Sequence, residues 1–132
     1  MSIEGSRAVL EKYFEGGHDT GQVMADDVIF TLMGTGEESK GWEAIQQMLV
    51  NLYSVAFEAI AEITNIIYGD SGASAEFDFI GVHTGDFAGV PATGISVKVP
   101  MCVNYDIAEG KIQHAHVYFE TPVLLKQSGV QS

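Results

Sequence analysis

Two hydrophobic periods divide the chain. Near its start Val9, Leu10, Tyr13 and Phe14 recur at three- and four-residue spacing, the apolar stripe of an amphipathic helix. Ser6 is placed to cap that helix and Gly16-Gly17 to stop it, so the pattern predicts a helix over 6–15. A shorter helical turn follows over 20–25, ending at Asp26-Asp27. From Trp42 the positions Ile45, Leu49, Leu52 and Ala56 repeat the helical period for about four turns, the longest helix of the chain.

Elsewhere the period is two. The run 28–33 is apolar on both faces and suits a covered strand, with Gly34, Gly36 and Gly41 marking the loop after it. Further strands are predicted at 57–68, 73–84, 95–107 and 111–120, separated by Gly69-Asp70-Ser71-Gly72, by a long Gly-rich loop and by Ala108-Glu109-Gly110. Short connections imply antiparallel neighbours. Helices first and a meander of strands after them predict one α+β domain over 1–132, its helices packed on the concave face of a curved, mostly antiparallel sheet.

Strand parity separates the faces. Val97, Val99, Met101, Val103, Tyr105 and Ile107 form one unbroken apolar set, with Lys98, Cys102, Asn104 and Asp106 opposite. In the strand before it, Ala75, Phe77, Phe79 and His83 share the inner parity against Glu76, Asp78, Ile80 and Val82. In the last strand Ala115, Val117 and Phe119 compete with Ile112, His116 and Tyr118 for the inner face, and parity alone leaves both readings open.

Composition narrows the function classes. With 132 residues, 46% of them hydrophobic and 18% charged, the chain can bury a full core, and disorder is not expected. Six basic against 18 acidic residues give 6 − 18 = −12, a surface that repels phosphate backbones and anionic headgroups. Neither nucleic acid nor a membrane is an expected partner. The longest uncharged stretch, 44–57, has 14 residues including Gln46, Gln47, Asn51 and Ser54, short of the roughly 18 that a membrane helix needs. No secretory apolar region opens the chain, so a cytoplasmic location is expected. The single Cys102 lacks a disulfide partner and reads as structural, and no Cys/His set has zinc-finger spacing, so no metal is expected.

The segment GVHTGDFAGVPATG from Gly81 to Gly94, then Ser96-Val97-Lys98-Val99-Pro100, then EGKIQHAHVYFE from Glu109 to Glu120, resembles the SnoaL-like polyketide cyclases. The opening helix, the Asp26-Asp27 pair before a strand and the Trp42 helix fall in that family's order. The resemblance implies the cone-shaped α+β fold shared with ketosteroid isomerase, scytalone dehydratase and nuclear transport factor 2. It also implies cofactor-independent acid/base chemistry, an aldol cyclisation on a polyketide-like or cyclic ketone. The family's acid/base residue is an aspartate at the end of the last strand. Glu120 stands there, one methylene longer, and His116 stands where the family often has tryptophan.

A carboxylate in an apolar pocket suffices as base for such chemistry, because burial raises its pKa towards the working pH. Glu120, His116 and His83 are therefore the candidate catalytic residues, in that order. The predicted apolar wall is Tyr13, Phe14, Trp42, Val99, Met101 and Val103. A steroid-isomerase mechanism requires two further acids; the matching positions hold Leu32 and Val103, so it is not expected. Three readings stay open. A buried Glu120 in an apolar cavity favours an enzyme, a cavity without ionisable groups favours a module that binds an apolar small molecule, and a filled core favours a dimerisation module. A homodimer through the outer sheet face is expected in any case, since Ile60, Ile66, Ile80, Val82, Pro100 and Cys102 would otherwise form an exposed patch.

Overall fold

The first helix, α1, runs Ile3–Glu15, one turn longer than its apolar stripe suggests. Ser2, not Ser6, supplies the cap: its side chain accepts from the Gly5 N–H at 2.9 Å, while Ser6 is buried against the core. Gly16 (φ 71°) ends α1 in the left-handed region, where glycine carries no Cβ penalty. The computed structural model describes residues 2–16, 20–87 and 89–127; Gly17, the other half of the expected stop, lies outside them. A single 3₁₀ turn, Thr20–Val23, leads into strand β1, Met24–Leu32. β1 begins four residues before the predicted strand, and its register shifts between Met24 and Ile29, so the exposed Asp26-Asp27 pair belongs to an irregular stretch of strand.

Strand β2, Glu37–Lys40, is a four-residue edge strand with no hydrophobic residue. Its pattern carries no apolar alternation, and polarity is how an edge avoids pairing with other chains. Helix α2, Trp42–Val50, passes into a wider π-type turn, Asn51–Ala56. Together they cover the long helical period from Trp42 to Ala56. Strands β3 (Phe57–Tyr68), β4 (Gly72–His83), β5 (Ser96–Ala108) and β6 (Lys111–Phe119) form the antiparallel meander. The β5–β6 turn takes two successive left-handed residues, Glu109 (φ 55°) and Gly110 (φ 73°). A short helix, α3, Thr121–Gln127, is the last described element; seven residues are too few to show a period.

The six strands form one sheet in the order β2-β1-β6-β5-β4-β3, antiparallel throughout except for β1 beside β6. It is curved and unclosed, the α+β cone expected from the element order. Its inner face alternates with the predicted parity: along β5, Val97, Val99, Met101, Val103, Tyr105 and Ile107 are all buried. Two apolar clusters occupy that face. The larger lies beneath α1 and α2 and includes Leu10, Val28, Ile45 and Phe77. The smaller, Ala56, Phe57, Phe79, Val97, Val99 and Leu124, fills the end covered by α3. No helix among the described residues is long and apolar enough to cross a membrane.

Candidate functional site

The larger cluster does not fill its half of the cone. Between the inner sheet face and the helices lies a cavity of about 590 Å³, within the range of ligand pockets, roughly 300–1,000 Å³. Helix α1 contributes Tyr13 and Phe14, and α2 with its π-type turn contributes Trp42, Met48, Leu49, Leu52 and Tyr53. From the sheet come Phe30, Phe77, Met101, Val103, Tyr105, Val117 and Phe119. The exposed members Gly16, Gln46, Ala61 and Ile63 place its rim between α2 and β3.

The wall is built of rings that contact one another rather than the centre. Tyr13 stands edge-on to Phe30, Trp42 and Tyr105, with ring centroids 6.4, 6.5 and 6.0 Å apart, and Phe14 meets Phe77 edge-on at 5.7 Å. Such tilted pairs hold aromatic side chains in place while leaving the middle open. Gly21 supports this wall from behind: a Cβ there would come within 3.0 Å of Trp42 Cδ1.

Among the described residues the polar groups of the cavity are few and neutral. Burial pushes the Tyr53 phenol up to about 12. Burial first, then the neighbouring tyrosines, hold Tyr13 and Tyr105 well above the ordinary tyrosine value. All three are therefore protonated donors at neutral pH. No hydrogen bond among the described residues engages their hydroxyls; Thr20 is also a lining residue, but its hydroxyl is itself buried, with no partner among the described residues. Among the described residues the lining contains no carboxylate, histidine, lysine, arginine or cysteine.

The predicted site residues separate. Tyr13, Phe14, Trp42, Met101 and Val103 line the cavity. Val99 does not: although it shares their parity, it lies in the filled end with Phe79 opposite it and Leu124 in the same cluster. The placement of Glu120 and His116 in the cavity is likewise corrected. In the β5–β6 register Met101 faces Phe119, Val103 faces Val117 and Tyr105 faces Ala115, so the odd-numbered residues of β6 point inward. His116 therefore lies on the outer face, its Nε2 donating to Asp106 Oδ2 at 3.1 Å. Glu120 is exposed just past the strand, where its carbonyl accepts the Leu124 N–H of α3. His83 is buried, as its parity predicts, but in the filled end. Its ring stacks on Phe57 at 5.0 Å, and its Nδ1 pairs with Thr93 Oγ1 at 3.0 Å.

Tyr53 and Tyr105, two of the three cavity phenols, were not among the expected site residues. Tyr105 belonged to the inner parity set and was signalled there as core. Tyr53 stands four residues after Leu49 and eleven after Trp42, on the helical face that both present to the cavity, so the helical period carried its signal.

A cone of helices on a curved, unclosed sheet around an apolar cavity defines the class of nuclear transport factor 2 and ketosteroid isomerase folds. Within it, the family model of the SnoaL-like polyketide cyclases matches residues 4–128, and the chain belongs to that family. A candidate SnoaL-like polyketide cyclase from Jannaschia sp. CCS1 superposes with a TM-score of 0.81 at 16% identity, covering 98% of this chain and 94% of that one. A candidate polyketide cyclase from Xanthomonas campestris pv. campestris gives 0.82 at 18% identity, covering 96% and 98%. A protein from Catenulispora acidiphila DSM 44928 with a ketosteroid isomerase-like fold, in complex with trimethylamine, gives 0.75 at 17% identity, covering 93% of each chain. At these identities the likeness concerns the fold. No match is found among curated proteins.

Proposed function

We propose that the cavity binds a neutral, largely apolar small molecule carrying carbonyl or hydroxyl oxygens, of the size and ring character of a cyclised polyketide. The observation that carries this reading is the lining: an aromatic wall, three protonated tyrosines and, among the described residues, no ionised group. Apolar surface drives the ligand in, and the donors fix its orientation by pairing with its oxygens. A charged ligand would lose its hydration with nothing of opposite charge to replace it. The Catenulispora protein of this fold forms a complex with a small molecule, trimethylamine.

Family membership supports a reaction class as well, an aldol-type ring closure. Tyrosine hydroxyls in this cavity would then donate to the enolate oxygen as charge develops there. Because Glu120, His116 and His83 stand outside the lining, none is the base in this reading, and ligand binding is the function the geometry favours.

Trp42 is the chain's only tryptophan and lines the cavity, so its emission reports occupancy directly. Titration with a planar tricyclic quinone is expected to change that emission saturably, and Tyr105→Phe to weaken binding by roughly 2- to 13-fold, the worth of one hydrogen bond. Saturation absent for every apolar ring system, or equal affinity for their sulfonated analogues, contradicts the reading.

We further infer a homodimer through the outer face of β3 and β4. Ile60 is 62% exposed there, beside the half-buried Ile80 and Val82, and Ile67, 66% exposed, stands on the same face nearer the other end of β3, across from Ser74. Ile66 is not part of this patch: a register shift between Ile63 and Asn65 turns it to the inner face, where it packs on the core. Glu62 and Asp78 interrupt the patch, so added salt should favour association. Sedimentation is expected to give about twice 14.2 kDa; a mass near 14.2 kDa at physiological salt overturns this inference.

A further inference from the structure

On the outer face of the sheet, opposite the cavity, β6 presents His114 and His116 two residues apart. Two residues apart along a strand means the same face, about 6.6 Å apart along it. The two rings stack with centroids 4.0 Å apart and planes 12° from parallel. Asp106 of β5 lies directly across from His114 in the register. Each of the three side chains offers a ligand atom, and these atoms lie within 4.8 Å of one another.

We propose that Asp106, His114 and His116 form a binding site for a divalent cation of the zinc class. Two imidazoles and one carboxylate make a mixed nitrogen and oxygen set, which suits zinc, nickel or copper and is a poor match for magnesium or calcium, which take all-oxygen shells. Bonds of about 2.0–2.1 Å at tetrahedral angles place neighbouring ligand atoms roughly 3.3 Å apart. His116 Nε2 and Asp106 Oδ2 are already 3.1 Å apart. Closing the rest of the set needs side-chain rotation only, since the histidines are half-buried and Asp106 is mostly exposed.

The surroundings prepare one ligand further. The Thr31 hydroxyl donates to Glu38 Oε2 at 3.3 Å, so at 2.7 Å it accepts from His114 Nε2–H. That fixes the His114 tautomer and leaves its lone pair on Nδ1 for a metal. A metal-bound imidazole usually donates its other N–H to an outer partner in this way. Thr31 is thus a positioning residue contributed by β1, and a cation here would join β5 and β6 with β1 held alongside. A net charge of −12 raises the local concentration of any cation. No spacing in the sequence announces the set, because its carboxylate comes from the neighbouring strand.

Zinc chloride titrated into the untagged full chain, against a chromophoric chelator of known affinity, tests this proposal. One equivalent is expected to bind. His114→Gln, His116→Gln and Asp106→Asn should each weaken it at least about tenfold, and Thr31→Val by roughly 10- to 100-fold, while Glu62→Gln on the same face changes nothing. The ring signals of His114 and His116 should shift on addition of zinc while those of His83 stay. Asp106→Asn, at an exposed position, carries the test if a histidine variant fails to fold. The proposal is overturned if no equivalent binds, if the affinity survives these substitutions, if His18 shifts in place of the pair, or if magnesium at equal excess displaces the zinc.

Discussion

Val99 and Val103 lie four residues apart on the same face of the same strand, both buried, and they meet opposite surroundings. Val99 sits where Phe57, Phe79 and Leu124 close the space. Val103 sits where α1 and α2 stand off from the sheet and leave about 590 Å³ open. The boundary falls between Val99 and Met101, where Phe119 contributes to both regions. Parity decides that a side chain faces inward. What it meets there depends on the helix above: α3 covers the filled half only, while the π-type turn borders both.

The sharpest way to break this comparison is to empty the filled half. Phe79→Ala should cost about 3–5 kcal/mol and Leu124→Ala about 2–5 kcal/mol, because each leaves a void that close-packed neighbours cannot collapse into. Urea unfolding checks both; losses below about 1 kcal/mol would show that this end is not packed as described. A matched pair sharpens it. Val99→Ala should destabilise by about 1 kcal/mol more than Val103→Ala, since Val103 already lacks contacts on its cavity side.

A smaller effect concerns pH. Each cavity phenol is raised in the folded chain, so the folded state keeps its proton when the unfolded chain has begun to lose it. That stability is fully present below pH 10 and is lost as pH rises towards 12, the value for Tyr53. Urea midpoints should be flat with respect to these groups up to about pH 10 and fall above it; Tyr53→Phe should reduce the fall. The same neutrality predicts ligand affinity that does not change between about pH 6 and 9. A bell-shaped profile there would restore an acid or a histidine to the site.

Much of the fold was legible in the sequence. β3 occupies the predicted 57–68, and the alternation along β5 gives its inner face residue by residue, because both follow the period-two pattern of a half-buried strand. Two kinds of feature were not. β2 is polar throughout and is a strand only because β1 pairs with it. Parity beyond a register shift reverses, which is why Ile66 turned from patch to core.

The site was legible to the same degree and for the same reason. Tyr13, Phe14, Trp42, Met101 and Val103 follow from helical and strand faces. The parity of β6 was ambiguous from its own residues and is decided by its neighbour: register with Met101, Val103 and Tyr105 turns Val117 and Phe119 inward and His116 outward. The resemblance pointed to a carboxylate at the end of the last strand. Here that position falls beyond Phe119, where α3 begins and the side chain meets solvent.

The central claim is that the open half of the cone is a ligand cavity, and filling it is the most direct test. Val103→Phe adds a ring into space that is already empty, so folding should be retained, while the Trp42 titration should show affinity for the tricyclic quinone reduced at least about tenfold, the value of roughly 1.4 kcal/mol of lost contact. Retained folding with unchanged affinity would place the ligand elsewhere on the protein and contradict the account.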